Sequence, residues 1–210
     1  MRVRMREGRN GALNTLYWFG KELGKEPEEI YFRYYLRFGE DWKQTVSGGK
    51  MPGISGTYGG AGGGGRPSHG NDGWSARGQF FPTVPEGNPL GGLQPIGTYC
   101  YHAEMKGQYG ESWLWGKGYL GFLEKNRWVC VEQFLRLNTP GKKDGVIRGW
   151  VDGGVAFERT DVMFRKTPKL KIEQVWMNVY HGGKAASPSD QHLFIDQVVV
   201  ARDYIGPLAR

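Results

Sequence analysis

The run IYFRYYLRF, from Ile30 to Phe38, limits the fold of this 210-residue chain more than any other stretch. Ile30, Phe32, Tyr34, Leu36 and Phe38 alternate with Tyr31, Arg33, Tyr35 and Arg37, and a period of two puts the first set on one face of a strand and the second on the other. A helix would scatter the apolar set around its axis. Comparable runs recur at Trp74 to Phe81, Gly97 to Met105, Arg127 to Leu137, Gly145 to Val151, Val155 to Glu158, Lys169 to His181 and His192 to Arg202, with a shorter basic/apolar alternation at Arg2 to Arg6. The stretches NTPGKKDG and VDGG between them carry hairpin-turn chemistry. About nine strands with mostly antiparallel connections predict an all-β fold, a jelly-roll sandwich of two antiparallel sheets with a concave groove. Thirty-five glycines, eight tryptophans and eleven tyrosines suit such a fold better than a helical bundle. The length fits a single domain over residues 1–210.

GKELGKEPEEI, between the first two strands, reads as a loop, because its glycines and Pro27 oppose a long helix. From Gly48 to Gly73 glycine dominates, in GGKMPGISGTYGGAGGGGRPSHGNDG, and that composition predicts a flexible surface loop of the kind that serves as a lid. Gly60 to Gly65 formally matches G-x-G-x-x-G, yet no amphipathic helix follows to present its N-terminus to a phosphate.

The net charge of +7 and isoelectric point near 9.4 imply attraction to a polyanion. The basic residues are dispersed along strands and turns, which argues against a nucleic-acid tail and for a positive field around an acidic glycan. The expected partner is an anionic polysaccharide, with no nucleic acid and no membrane, bound by a monomer. Cys100 and Cys130 have neither C-x-x-C nor zinc spacing and read as small buried hydrophobes. The opening MRVRMREGRN has no apolar core of signal-peptide type, and no run of eighteen apolar residues occurs. The reading favours an extracellular or virion-associated protein over a cytoplasmic one. No calcium-loop spacing is visible. No cofactor is expected to be required, and a structural calcium assembled from Asp190 and Asp196 stays open.

Two short pairs carry the chemistry. Ser75 and Arg77 in WSARGQF, and Tyr99 and Tyr101 in TYCYHAEM, each share one strand face by parity. With Lys50 in GGKMPG they supply what eliminative cleavage of a polyuronate needs: neutralisation of the C5 carboxylate, removal of the C5 proton, and protonation of the departing O4. Arg77 suits the first role because its planar fork can hold a carboxylate bidentately. Tyr99 or Tyr101 suits base, acid or both, with nearby cations expected to pull a phenol toward the working pH. Lys50 can support either proton step. Arg33, Tyr35 and Arg37, on the polar side of their strand, are expected to bind substrate, as are Gln133, His102 and His181. Trp113, Trp115 and Trp150 are candidate sugar-stacking platforms. Glu104, Glu111, Glu132 and Asp152 show no pairing of hydrolase type.

In order, YFRYYLRFG, GGKMPGISG, WSARGQF, TYCYHAEM, VEQFLRLNTPGKKDGVIRGWVDG and HLFIDQVVVA resemble polysaccharide lyases related to the family 14 alginate lyases and, more distantly, the family 20 glucuronan lyases. The resemblance runs from about Tyr31 to Ala201. It implies a β-jelly roll that cleaves an acidic, uronate-containing polysaccharide by β-elimination, with Lys50, Ser75, Arg77, Tyr99 and Tyr101 in the active site. The insertion PTVPEGNPLGGLQP, between the S-x-R and Y-x-Y strands, is expected to alter how open the groove is. The alternatives are a noncatalytic glycan-binding jelly-roll module and a virion or surface structural protein.

Overall fold

The computed structural model describes residues 1–43, 46–183 and 185–209. Thirteen strands form within them: β1 (Arg2–Met5), β2 (Gly11–Trp18), β3 (Glu29–Phe38), β4 (Gly49–Gly56), β5 (Trp74–Phe80), β6 (Gln94–Tyr101), β7 (Glu111–Leu114), β8 (Phe122–Leu123), β9 (Val129–Arg136), β10 (Gly145–Val151), β11 (Gly154–Val162), β12 (Gln174–His181) and β13 (Gln191–Ala201). Helix is confined to the short α1 (Phe19–Leu23) and a 3-10 turn at Lys117–Tyr119, and among the described residues no helix is long and apolar enough to cross a membrane.

Two antiparallel sheets build the sandwich. One has the order β1-β13-β3-β9-β10-β11, the other β2-β12-β4-β5-β6-β7 with β8 paired to β6. Their inner faces form one apolar cluster that includes Phe32, Leu36, Ile54, Trp74, Phe80, Trp115, Ile147 and Leu193. The alternation in β3 is realised as expected, with Ile30, Phe32, Tyr34, Leu36 and Phe38 all buried. Asp152 (φ 49°) and Gly153 (φ 83°) both take the left-handed backbone of a tight hairpin between β10 and β11.

The glycine-rich stretch departs from the flexible loop expected of it. Its first part is β4, paired on both sides, with β12 and with β5. Its glycines serve close packing. A Cβ at Gly53 would sit 2.6 Å from the Ala76 carbonyl oxygen and overlap the backbone of Arg77. Pro52, which has no N–H to give, falls at a register shift between Met51 and Gly53, where the ladder is already interrupted. The second part folds back on β5 and is tied there. Ser75 Oγ donates to the Gly62 carbonyl (2.6 Å), Ala61 N–H to Asp72 O (2.8 Å), and Arg66 Nη1 to Gly59 O (2.7 Å).

Candidate active site

On the outer face of the second sheet lies a cavity of about 1140 Å³, lined from β2, β4, β5, β6 and β12 and by the tips at Gly64–Gly65 and Tyr109. Sheet register brings its polar residues together. Arg77 faces Tyr99 across β5 and β6, Lys50 faces Gln79 across β4 and β5, and Tyr180 of β12 faces Lys50 from the other side. Strand parity, met on three neighbouring strands at once, thus converges Lys50, Arg77, Tyr99 and Tyr101 on one cavity.

Arg77 is buried and Lys50 half-buried, each against aromatic rings. Lys50 Nζ stands 4.2 Å from the Tyr99 ring centroid, and Arg77 Cζ lies 4.4 Å from the Trp176 centroid and 5.9 Å from that of Tyr99. Arg77 is 6% exposed, and its Nη1 donates to Asn178 Oδ1 (3.2 Å), a neutral acceptor. Asn178 is itself pinned through Nδ2 to the Leu13 carbonyl (3.2 Å). Among the described residues no carboxylate comes within 4 Å of Lys50 or Arg77. Burial, with the nearby Arg77 charge adding to it, lowers the Lys50 ammonium to about 8. Burial likewise lowers Arg77, to about 10, although the neighbouring tyrosines oppose the shift. It still carries its charge at neutral pH.

Tyr99 goes the other way from the sequence expectation. Burial first, then Tyr101 through its charge and a hydrogen bond, push its phenol well above the ordinary value and outweigh the pull of Arg77. A phenol held that way favours the neutral, proton-donating form, the opposite of the phenolate expected from neighbouring cations.

Several other expected site residues lie elsewhere. Ser75, fully buried, does not open onto the cavity, because its hydroxyl is spent on the Gly62 carbonyl. Arg33, Tyr35 and Arg37 sit on β3, in the other sheet, on its outer face. There Leu208 N–H bonds Tyr35 Oη (2.8 Å), and Ile205 and Gly206 N–H bond the Glu132 carboxylate. Gln133 points into the core and ties the two sheets together, its Nε2 donating to Ala76 O (3.2 Å). His102 follows the opposite parity to Tyr101 and meets Glu111 (3.0 Å) and the Trp113 ring. His181 is buried near Phe80 with Nδ1 2.7 Å from Ala185 O. None of the three tryptophans singled out from the sequence lines the cavity. Trp115 is core and donates to Thr98 Oγ1, Trp113 stacks on Phe157, and Trp150 is on the far sheet. The insertion at 82–95 also stays away from the cavity lining.

The sequence reading missed Trp176, Asn178 and Tyr180. Their signal is the alternation within QVWMNVYH, where they intervene between Val175, Met177 and Val179. Among the described residues no group of three His, Cys, Asp or Glu side chains is placed to hold a metal. Asp190 accepts from Arg4 and from Glu7 N–H, and Asp196 from Gln197 N–H. A second cavity, of about 950 Å³, is lined by Arg165 and Glu28, which pair with each other, and by the exposed Lys25, Arg136 and Arg202, so the buried cation it holds already has a carboxylate.

A β-sandwich whose groove sets a buried arginine and a half-buried lysine beside tyrosines is suited to an enzyme acting on an acidic polymer. Residues 5–198 match the family model for polysaccharide lyase 14, and the chain belongs to that family of carbon–oxygen lyases. No match was found among curated proteins. Among solved structures, alginate lyase Aly36B superposes with a TM-score of 0.79 at 20% identity, covering 96% of this chain and 80% of that one. Double mutants of Aly36B have been captured with an alginate tetrasaccharide and an alginate trisaccharide. Alginate lyase vAL-1 from Chlorella virus gives 0.69 at 18% identity, covering 95% and 83%. The endo-β-1,4-glucuronan lyase of the fungus Trichoderma reesei gives 0.53 at 16%, covering 95% and 79%.

Proposed function

We propose that this lyase cleaves a polyuronate of the alginate or glucuronan type by β-elimination in the groove on the second sheet. The observation that carries the reading is the buried Arg77 beside the half-buried Lys50, with no carboxylate among the described residues to neutralise either. Leaving a buried charge unpaired is costly, and a substrate carboxylate is the natural counter-ion. Arg77, held in plane by Asn178 and Trp176, takes the C5 carboxylate and stabilises the negative charge that spreads onto it when C5 loses its proton. Lys50 in its neutral form removes that proton. The C5–H electron pair becomes the C4–C5 double bond, the C4–O4 bond breaks, and the departing O4 takes a proton from the hydrogen-bonded Tyr99–Tyr101 pair. Lys50 and the tyrosine pair are reset by exchange with solvent. The reaction yields a new reducing end and an unsaturated uronate at the new non-reducing end.

The test is ultraviolet absorbance over time on alginate, polymannuronate, polyguluronate and glucuronan, because elimination creates a conjugated double bond and hydrolysis does not. Wild-type protein is expected to give a rise that Lys50→Ala and Tyr101→Phe remove. Absorbance that stays flat on every polymer, or that persists in Lys50→Ala, would overturn the assignment.

A further inference from the structure

The outer face of the first sheet carries a row that the groove does not use. Register places Arg2 of β1 beside Phe194 of β13, and Phe194 beside Arg37 of β3. Trp128 closes the row from the residue preceding β9. Arg37 Cζ lies 4.1 Å from the Phe194 ring centroid and 5.4 Å from that of Trp128, and Nη1 donates to Asn126 Oδ1 (2.8 Å). Trp128 is 41% exposed, a large aromatic surface left in water. At neighbouring strand spacing the row spans about 14 Å.

Its charges are not internally satisfied. Nearby Arg4 pairs with Asp190, and Arg127 with Asp152 (2.7 Å), but among the described residues neither Arg2 nor Arg37 has a carboxylate partner. Arg2 reaches His192 Nε2 (2.9 Å) and Arg37 the neutral amide of Asn126. Alternating guanidinium and ring matches a chain that presents carboxylates and apolar sugar faces in turn. It is a poor match to a phosphate-dense polymer, which rewards clustered cations.

We propose that Arg2, Phe194, Arg37 and Trp128 form a second, noncatalytic binding site for polyuronate, on the face opposite the groove. The choice of polyuronate rests on the function proposed above. Engaging a long chain there raises the effective concentration of polymer at the groove without adding contacts in it. A trisaccharide is too short to profit.

The test compares wild type with Arg37→Ala/Trp128→Ala and, separately, with Arg2→Ala at the exposed edge strand. Each is also made in a Lys50→Ala background for affinity electrophoresis through gels containing alginate, neutral dextran or no polymer. Retardation by alginate is expected to weaken about tenfold in the double variant and less in Arg2→Ala, with none in dextran. Turnover of an alginate trisaccharide by the Lys50-containing proteins is expected to stay at the wild-type value, while KM on long alginate rises. Undiminished retardation in both variants, equal retardation in dextran, or a parallel loss of trisaccharide turnover would each overturn the second site. If no polyuronate is cleaved at all but Arg37-dependent retardation persists, the function proposed for the groove fails while this site stands.

Discussion

At the scale of single residues, the site depends on how burial moves proton affinities in opposite useful directions. Lys50 is lowered to about 8, so about half of it is a neutral amine at that pH and about a tenth one pH unit below. The elimination rate at limiting substrate, kcat/KM, is therefore expected to rise with pH and level off above about 8. A rate flat from pH 6 to 9 would remove Lys50 as the base. Lys50→Arg keeps a cation but cannot surrender its proton, and is expected to lose about 10²–10⁴-fold in kcat while still binding alginate. Tyr99 is raised, so it stays protonated across the same range and remains a donor. Because Tyr99 and Tyr101 share a hydrogen bond, Tyr99→Phe and Tyr101→Phe are expected to combine less than additively in a double-mutant cycle on kcat. Gly182 has a narrower role. A Cβ there would overlap Lys50 Nζ. Gly182→Ala is accordingly expected to displace the amine and lower kcat several-fold, with little change in melting temperature, since the atom that must move is the end of a flexible side chain.

At the scale of elements, what was legible in the sequence was parity, and what was hidden was pairing. Alternation put Ser75 with Arg77 and Tyr99 with Tyr101 on single strand faces, and the structure keeps the parity, although the Ser75 hydroxyl is covered by Gly62 and does not reach the cavity. The same alternation in β3 sorted its core side from its outer side, but it contains nothing about which sheet β3 joins. Pairing with β9 and β13, far along the chain, decides that, and it sends Arg33, Tyr35 and Arg37 to the sheet opposite the groove. The β12 face, with Trp176, Asn178 and Tyr180, was readable by the same rule, except that a long run with interspersed polar residues draws less notice than a compact motif. Strand β4 failed for a different reason. Glycine content was read as freedom, whereas Gly49 and Gly53 are there because neighbouring strands and rings approach too closely for a Cβ. Gly53→Ala would press against the backbone of Arg77 and Ala76, which cannot yield as a side-chain tip can. It is expected to destabilise the fold by about 1–3 kcal/mol in urea unfolding. An unchanged midpoint would mean that β4 is the loose segment its composition suggested.

At the scale of the whole molecule, the charge of +7 divides into two populations with different responses to salt. Lys50 and Arg77 sit deep in the groove, where mobile ions screen weakly. The exposed arginines on the other sheet and edge strand lie in water, where the Debye length is about 8 Å at 0.15 M. A long polyanion is drawn in by the second population and held at the point of reaction by the first. Added salt is therefore expected to raise KM on long alginate steeply while leaving kcat nearly unchanged, because the charges that stabilise the transition state are shielded by the protein itself. The same titration on an alginate trisaccharide should show a shallower rise in KM, since a short chain touches fewer exposed cations. Steady-state kinetics between 0.05 and about 0.5 M sodium chloride separate the two populations. If kcat fell in parallel with affinity, the cation that stabilises the transition state would have to be solvent-accessible, and the buried Arg77 would not be the group that meets the substrate carboxylate.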